Sequence, residues 1–364
     1  MRHAISLLKY IFELKPKNKK NKLNIGFYGG EPLLNMDFIR RIVEVANQLN
    51  NEKELDITYS MTTNGTLLNQ YIDFLVAHKF NLLISLDGNE KNNSYRIYNR
   101  KNKNSFQKVI ENVDMIQKDY PEYFSECVSF NTVLHNRNSV KEIYEFIYTR
   151  YHKIPVISEL NMNDIHPDKK DILKSMYNSK SRSEAAFLNE NEQPNLPSTV
   201  HNELNAFKEL SDFLRHYSIN FYVSSIIDAL YNREIYLPAS TCLPFAKRIY
   251  LTTNHKLLPC ERINYVYSIG KVNKTVEINI PEITRQYNFY YNHLKKICQS
   301  CYDYRFCGVC LFQIKNIRHC DSEELVCDNY QNQNDFKNKL FRVFSFLEEY
   351  PNDFFQILEN LIVE

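Results

Sequence analysis

Eight of the nine cysteines in this 364-residue chain fall between Cys242 and Cys327. Nothing else in the sequence restricts its folding as strongly, because thiols crowded this way must be held by metal or by disulfides. The compartment decides between the two. The N-terminus, MRHAISLLKYIFELKPKNKKNK, reads as a short amphipathic helix ending in a basic loop, without the small-residue cleavage site of a signal peptide. No run of 18 apolar residues occurs, which argues against a membrane span. The default compartment is therefore the cytoplasm, where thiols stay reduced, and the cysteines read as metal ligands before disulfides. A net charge of +2 makes no electrostatic case for nucleic acid or an anionic membrane as partner. Cys127, apart from the others in ECVSFNTVLH, reads as a buried apolar residue.

The first half alternates in period. Residues 2–15 have helical spacing, Leu23 to Tyr28 read as a buried strand, and residues 35–50 return to helical period. ITYSMTTNG is strand then turn, 67–79 helix, and FNLLISLDG strand then turn. Helices over 105–119 and 138–151 and strands over Val128 to Leu134 and Ile154 to Leu160 complete the series. This order predicts an α/β fold with a parallel sheet and crossover helices. In such folds the ligand sits at the C-terminal ends of the strands, so the turns YGGEP, TTNG and LDG should face one pocket. Residues 161–200 read as a polar, irregular insertion and 203–217 as a closing helix. Residues 240–330 read as cysteine-rich and short of long helices, and 333–362 as an amphipathic helical tail split at Pro351.

Tyr28 to Leu34 (YGGEPLL), Thr62 to Leu68 (TTNGTLL) and Ser85 to Gly88 (SLDG) followed by Arg96 resemble, in order and spacing, the motifs of radical S-adenosylmethionine (SAM) enzymes. The cysteine-rich region resembles the SPASM domain of peptide and protein maturases in that superfamily. The resemblance covers roughly residues 1–330. It implies a truncated, partial (β/α)6 TIM-like barrel over 1–225, lacking its first strand and cluster loop. A SPASM iron–sulfur domain over 235–332 and C-terminal helices over 333–364 would follow.

Residue chemistry agrees with this. Gly29 and Gly30, before Pro32, let backbone amides approach a ligand. By resemblance Glu31 would hold the SAM ammonium and Ser85 would lie near the ribose, with Asn64 in the second turn and Asp87 in the third also counted in the cofactor site. Arg96 could clamp the SAM carboxylate. The usual His-Asp-x-x-Arg is here Asn92-Asn93-Ser94-Tyr95-Arg96, which leaves Arg100 as a competitor. Plainer readings stand beside these: a strand-to-helix turn for the glycines, a first-turn carboxylate for Glu31, and a surface loop arginine for Arg96.

The cysteines run Cys242, Cys260, then Cys298-x2-Cys301-x5-Cys307-x2-Cys310, then Cys320 and Cys327. The CxxCxxxxxC core matches SPASM. His255 replaces the glycine five positions before Cys260, in a turn that favours φ > 0, and the Cys307–Cys310 gap is one residue short. Eight thiolates make two fully ligated [4Fe–4S] sets. The resemblance implies two auxiliary clusters, one on Cys242, Cys260 and Cys310, the other on Cys298, Cys301 and Cys307. Cys320 and Cys327 divide between them in an order left open. Without the barrel, zinc would be the preferred metal for such a run.

Radical SAM chemistry starts on a cluster held by CxxxCxxC, whose electron cleaves SAM to a hydrogen-abstracting 5′-deoxyadenosyl radical. No CxxxCxxC occurs in the chain. A fragment is the favoured account, beside half of a split enzyme completed by another chain, or an inactive peptide-binding paralogue. As it stands, the isolated chain should not cleave SAM and should bind it weakly. The implied function is modification of side chains in a ribosomally made peptide or protein, with that substrate and a flavodoxin or ferredoxin as partners. A zinc-stabilised binding module is the alternative from another class. No catalytic base can be chosen; Glu261, beside Cys260, reads as a supporting residue.

Overall fold

The structure, a computed structural model, describes residues 1–18, 21–98, 103–160, 165–188, 241–245, 248–303, 307, 309–321, 323–349 and 351. These fall into two compact units, 1–196 with 272–276, and 197–271 with 277–364. The expected helix over 203–217, the domain limits at 225 and 235, and the tail beyond 351 lie outside the described residues.

In the first unit β1 (Lys22–Phe27), β2 (Asp56–Thr63), β3 (Phe80–Ser85), β4 (Val128–Leu134) and β5 (Val156–Glu159) form one curled sheet in sequence order. Every pairing is parallel. Helices α1 (Arg2–Leu14), α2 (Met36–Lys53), α3 (Leu68–Ala77), α4 (Phe106–Asp119), α5 (Pro121–Cys127) and α6 (Val140–Tyr151) alternate with the strands. The expected half-barrel is therefore present as five consecutive parallel strands.

Alternation within the strands separates two faces. Tyr59, Met61, Phe80, Leu82, Ile84, Val128 and Phe130 are buried in the apolar core that the helices cover. Phe80 stacks between Phe27 and Tyr59, with ring centroids 5.9 and 5.2 Å away. Each such fully buried ring contributes roughly 1.5–3 kcal/mol. The alternate positions are mostly polar: Asn24, Thr58, Ser60, Asn81, Ser85, Ser129 and Asn131, together with Leu83 and Val133, lie on the opposite face and are at most half-buried. Asn24 knits β1 to β2 there, donating to Thr58 Oγ1 (2.9 Å) and accepting from Ser60 Oγ (2.8 Å). A parallel sheet is normally apolar on both faces; here the second face suits a hydrated or ligand-bearing interior.

Pro121 at the first helical position starts α5, so the segment before β4 is helical. Two expectations need correction. Cys127 ends α5 and is half-buried rather than buried. The segment 161–200 is not irregular throughout: α7 (Lys170–Met176) and α8 (Lys180–Leu188) form within it.

The second unit holds short strands: Lys256–Leu258 pairs antiparallel with Tyr250–Leu251 and with the strand that begins at Gly270. Here α9 (Ile280–Ser300) corrects the expectation of short helices. Asn279 caps it by accepting from Glu282 N–H, and Pro281 sits in its first turn. Its buried stripe is Ile283, Tyr287, Tyr290 and Leu294, an aromatic face easily passed over as polar sequence. α10 (Gln333–Glu349) matches the start of the expected tail.

Candidate functional site

The turns YGGEP, TTNG and LDG all leave the C-terminal ends of the sheet, as parallel pairing requires. Glu31 joins the first two. It caps the short 3₁₀ turn Pro32–Asn35, accepting from Leu33 N–H at 3.1 Å, so the first-turn reading of its carboxylate is correct as far as it goes. The same carboxylate crosses to β2, accepting from Thr63 Oγ1 at 2.8 Å and Asn64 N–H at 2.6 Å. A carboxylate has about four acceptor positions, and the protein fills three. One is left at the strand tips for an external donor. Gly29 has φ +142, in the range that favours glycine, and at Gly29 and Gly30 a Cβ would meet nothing within 4 Å. The backbone is therefore open to an approaching molecule.

Asn64 has a local task. Its Oδ1 accepts from the Thr66 amide (3.0 Å) and hydroxyl (2.7 Å), closing the turn. Ser85 ends β3 on the polar face, half-buried, and its hydroxyl makes no hydrogen bond with another described residue.

Asp87 and Arg96 are brought together. Asp87 is 2% exposed and receives Arg96 Nε and Nη2, each at 2.7 Å, in a two-pronged pair. Val133 N–H donates to the same carboxylate at 2.9 Å. Arg96 is thus no loose surface arginine, and Nη1 lies outside the pair. Arg100, the competitor, lies outside the described residues. Gly88 is held at φ +116, where a Cβ would sit 2.7 Å from Asn92 Oδ1.

The fourth strand tip, His135-Asn136-Arg137-Asn138, belongs to this site although sequence reasoning passed over it. Asn138 Nδ2 donates to the carbonyls of Asp87 (3.1 Å) and Val133 (3.0 Å), and Asn93 Oδ1 accepts from Asp87 N–H (3.1 Å). His135 is buried with Nε2 3.9 Å from Asp87, and its Nδ1 accepts from Arg137 N–H at 3.1 Å. Burial lowers its pKa, and Arg96 and Arg137 lower it further, against the opposing pull of Asp87. The available signal was position alone: a polar tetrapeptide directly after a strand in a βα series. Without a glycine it carries no turn signature.

In the second unit His255 has φ 62, as a residue in a glycine position must. No disulfide joins the described cysteines, and all are half-buried. Burial raises the Cys298 thiol to about 11, and raises Cys260, Cys307, Cys320 and Cys327 as well. Such thiols stay protonated unless a cation compensates them. Cys298 lies in the electrostatic field of Cys307, Cys327 and Cys301, and Cys327 in that of Cys301. Tyr287 lies in the field of both Cys310 and Cys242, and Arg248 in that of Cys260 and Cys242. Cys298, Cys301, Cys307 and Cys327 thus influence one another, Cys242 acts on the same groups as Cys310 and Cys260, and no other cysteine is among the influences on Cys320.

The surroundings suit thiolates bound to a cluster. Backbone N–H groups point at sulfur: Arg262 to Cys260 (3.3 Å) and Gln331 to Cys301 (3.4 Å). The hydroxyl of Tyr287 is buried without a partner. Among the described residues no three His, Cys, Asp or Glu side chains close around a single-ion position. Glu261 is paired with Arg248 at 3.1 Å, and its pKa is lowered even though burial, the largest influence, opposes this.

Residues 4–147 match the model of the radical SAM superfamily. This stretch, α1 through most of α6 with all three glycine turns, is a radical SAM domain. Within the superfamily the chain is similar to maturation enzymes. It is 30% identical over 146 residues to a cysteine-type anaerobic sulfatase-maturating enzyme of Clostridium novyi, covering 39% of this chain and 37% of that one. It is 29% identical over 132 residues to the radical SAM cyclopropyl synthase TigE of Paramaledivibacter caminithermalis, covering 36% and 26%. The matched stretch thus spans well under half of either relative. The fold is also that of native anSMEcpe with bound AdoMet and Kp18Cys peptide, with a TM-score of 0.58, 18% identity, and 98% of this chain and 89% of that one covered.

Proposed function

We propose that this chain supplies the SAM-binding strand tips and two auxiliary [4Fe–4S] clusters of a radical SAM maturase that modifies side chains of a ribosomally made peptide or protein. The observation that carries it is Glu31, whose carboxylate spans two strand tips with one acceptor position left open. An α-ammonium group fits that position. Arg96, through the guanidinium edge outside its pair with Asp87, receives the α-carboxylate; Gly29 and Gly30 admit the backbone approach, and Ser85 offers its hydroxyl to the ribose. Bound there, SAM supplies the means of hydrogen abstraction once an electron reaches it. The polar face of the sheet, with Asn24, Ser60 and Asn131, accommodates a hydrated peptide better than an apolar substrate.

For the cysteines, the mutual influence of Cys298, Cys301, Cys307 and Cys327 supports placing them on one cluster. Cys320 is then the fourth ligand beside Cys242, Cys260 and Cys310. The implied partners are the peptide or protein substrate, a reductant such as a flavodoxin or ferredoxin, and a polypeptide carrying CxxxCxxC, in a reducing, cytoplasmic setting. Anaerobic reconstitution followed by iron and sulfide analysis and equilibrium dialysis with SAM tests the reading. About eight irons per chain and saturable SAM binding are expected. A colourless protein that takes up zinc and no iron would refute it.

A further inference from the structure

Tyr287 lies on the buried stripe of α9 and is 6% exposed. Among the described residues its hydroxyl is one of two buried side-chain polar atoms that find no hydrogen-bond partner; the other is Gln331 Oε1. Buried hydroxyls are nearly always satisfied, so an orphan implies an acceptor that the protein atoms do not supply. Its neighbours are rings. Phe312 meets it edge-on at 5.7 Å and Tyr291 lies 6.2 Å away. The ionisable side chains that act on it include, besides neighbouring tyrosines, the thiols of two cysteines distant in sequence, Cys310 and Cys242. Thr241 links the same two cysteines, accepting from Leu311 N–H at 2.9 Å. The unpartnered donor therefore lies in the neighbourhood of the Cys310 and Cys242 thiols.

We propose that Tyr287 donates its hydroxyl hydrogen to a sulfur of the iron–sulfur cluster held by Cys242, Cys260 and Cys310, and so raises that cluster's reduction potential. The inference rests on the cluster reading above and goes beyond it by assigning a tuning residue to one cluster. The physical reason is charge. Reduction makes the cluster more negative, and a donor aimed at its sulfur favours the more negative state. The second cluster, on Cys298, Cys301, Cys307 and Cys327, receives backbone donors such as Gln331 N–H but not this hydroxyl.

The test is Tyr287→Phe in the full chain, reconstituted anaerobically and titrated with EPR detection of each cluster. One cluster is expected to shift about ten-fold in its reduced-to-oxidised ratio at fixed potential, about 59 mV more negative for a one-electron couple. The other should stay put, with iron content unchanged. Iron–sulfur Raman bands of the wild type should move in deuterated water, and part of that shift should vanish in Y287F. Should Y287F fail to hold iron, fluorotyrosine at position 287 decides: its stronger donor must move the same cluster in the positive direction. Unchanged potentials, or equal shifts in both clusters, overturn the proposal. A wild-type chain without iron overturns the cluster reading itself, before any titration.

Discussion

The pair between Asp87 and Arg96 permits a quantitative test of how the SAM site is held. Asp87→Asn keeps the shape and the acceptor for Val133 N–H. With Oδ1 retained, it replaces Oδ2, the acceptor of Arg96 Nε, by an NH2 group that donates and cannot accept. Both contacts are 2.7 Å, with side-chain exposures of 3% for Asp87 and 25% for Arg96. Removing one partner of a buried pair costs about 3–5 kcal/mol. Because Arg96 can still partly hydrate, the lower end applies, so urea unfolding should show a loss of about 3 kcal/mol. Binding gives the sharper readout. A guanidinium no longer fixed must be ordered by the ligand, which weakens SAM binding about ten-fold. Decarboxylated SAM has no carboxylate for Arg96 and should bind wild type and D87N equally. If Asp87 acts through Arg96, D87N added to Arg96→Gln should cost little more than R96Q alone, a coupling of about 1–3 kcal/mol. Equal losses for the two ligands, or additive single variants, would refute the reasoning.

Glu31→Gln removes the charge proposed to receive the ammonium while preserving size, so SAM affinity should fall at least ten-fold with little change in melting temperature; dialysis and calorimetry decide. His135 has a lowered folded pKa, so the unfolded chain binds the proton more readily. Its contribution to stability is complete above about pH 6.5 and is lost as pH falls through the folded value. Urea midpoints measured from pH 7.5 to 5 should therefore decline, and less steeply in His135→Gln. Gly88→Ala places a Cβ 2.7 Å from Asn92 Oδ1 at φ +116, and should lower stability by about 1–3 kcal/mol in the same assay. With dithionite and SAM alone, the reconstituted chain should release no 5′-deoxyadenosine, since no CxxxCxxC lies in its sequence; sustained release seen by chromatography would contradict this.

What could be read from residues alone followed how locally each feature is encoded. Strand and helix periods placed β1 to β5 within a residue or two, because alternation and 3.6-residue spacing are local. Glycine turns marked three tips for the same reason. The fourth tip was silent: His135 and Asn138 act through contacts with Asp87, some fifty positions earlier. α9 was hidden because tyrosines, polar in composition, form its buried stripe. Arg96 was expected to meet a ligand, and its pairing with Asp87 emerges only once the loop folds back. The cysteines show the same limit. Spacing showed that eight thiols could form two sets of four, yet two positions stayed interchangeable. The influence of Cys327 on Cys298 and Cys307 supports the proposed grouping, and it depends on how the chain returns after α9. Positions that bind through their own chemistry were visible early, while positions that act by holding another residue appeared only with the fold. Asp87, Asn93 and Asn138 are of that second kind, so substitutions there should alter affinity before they abolish it.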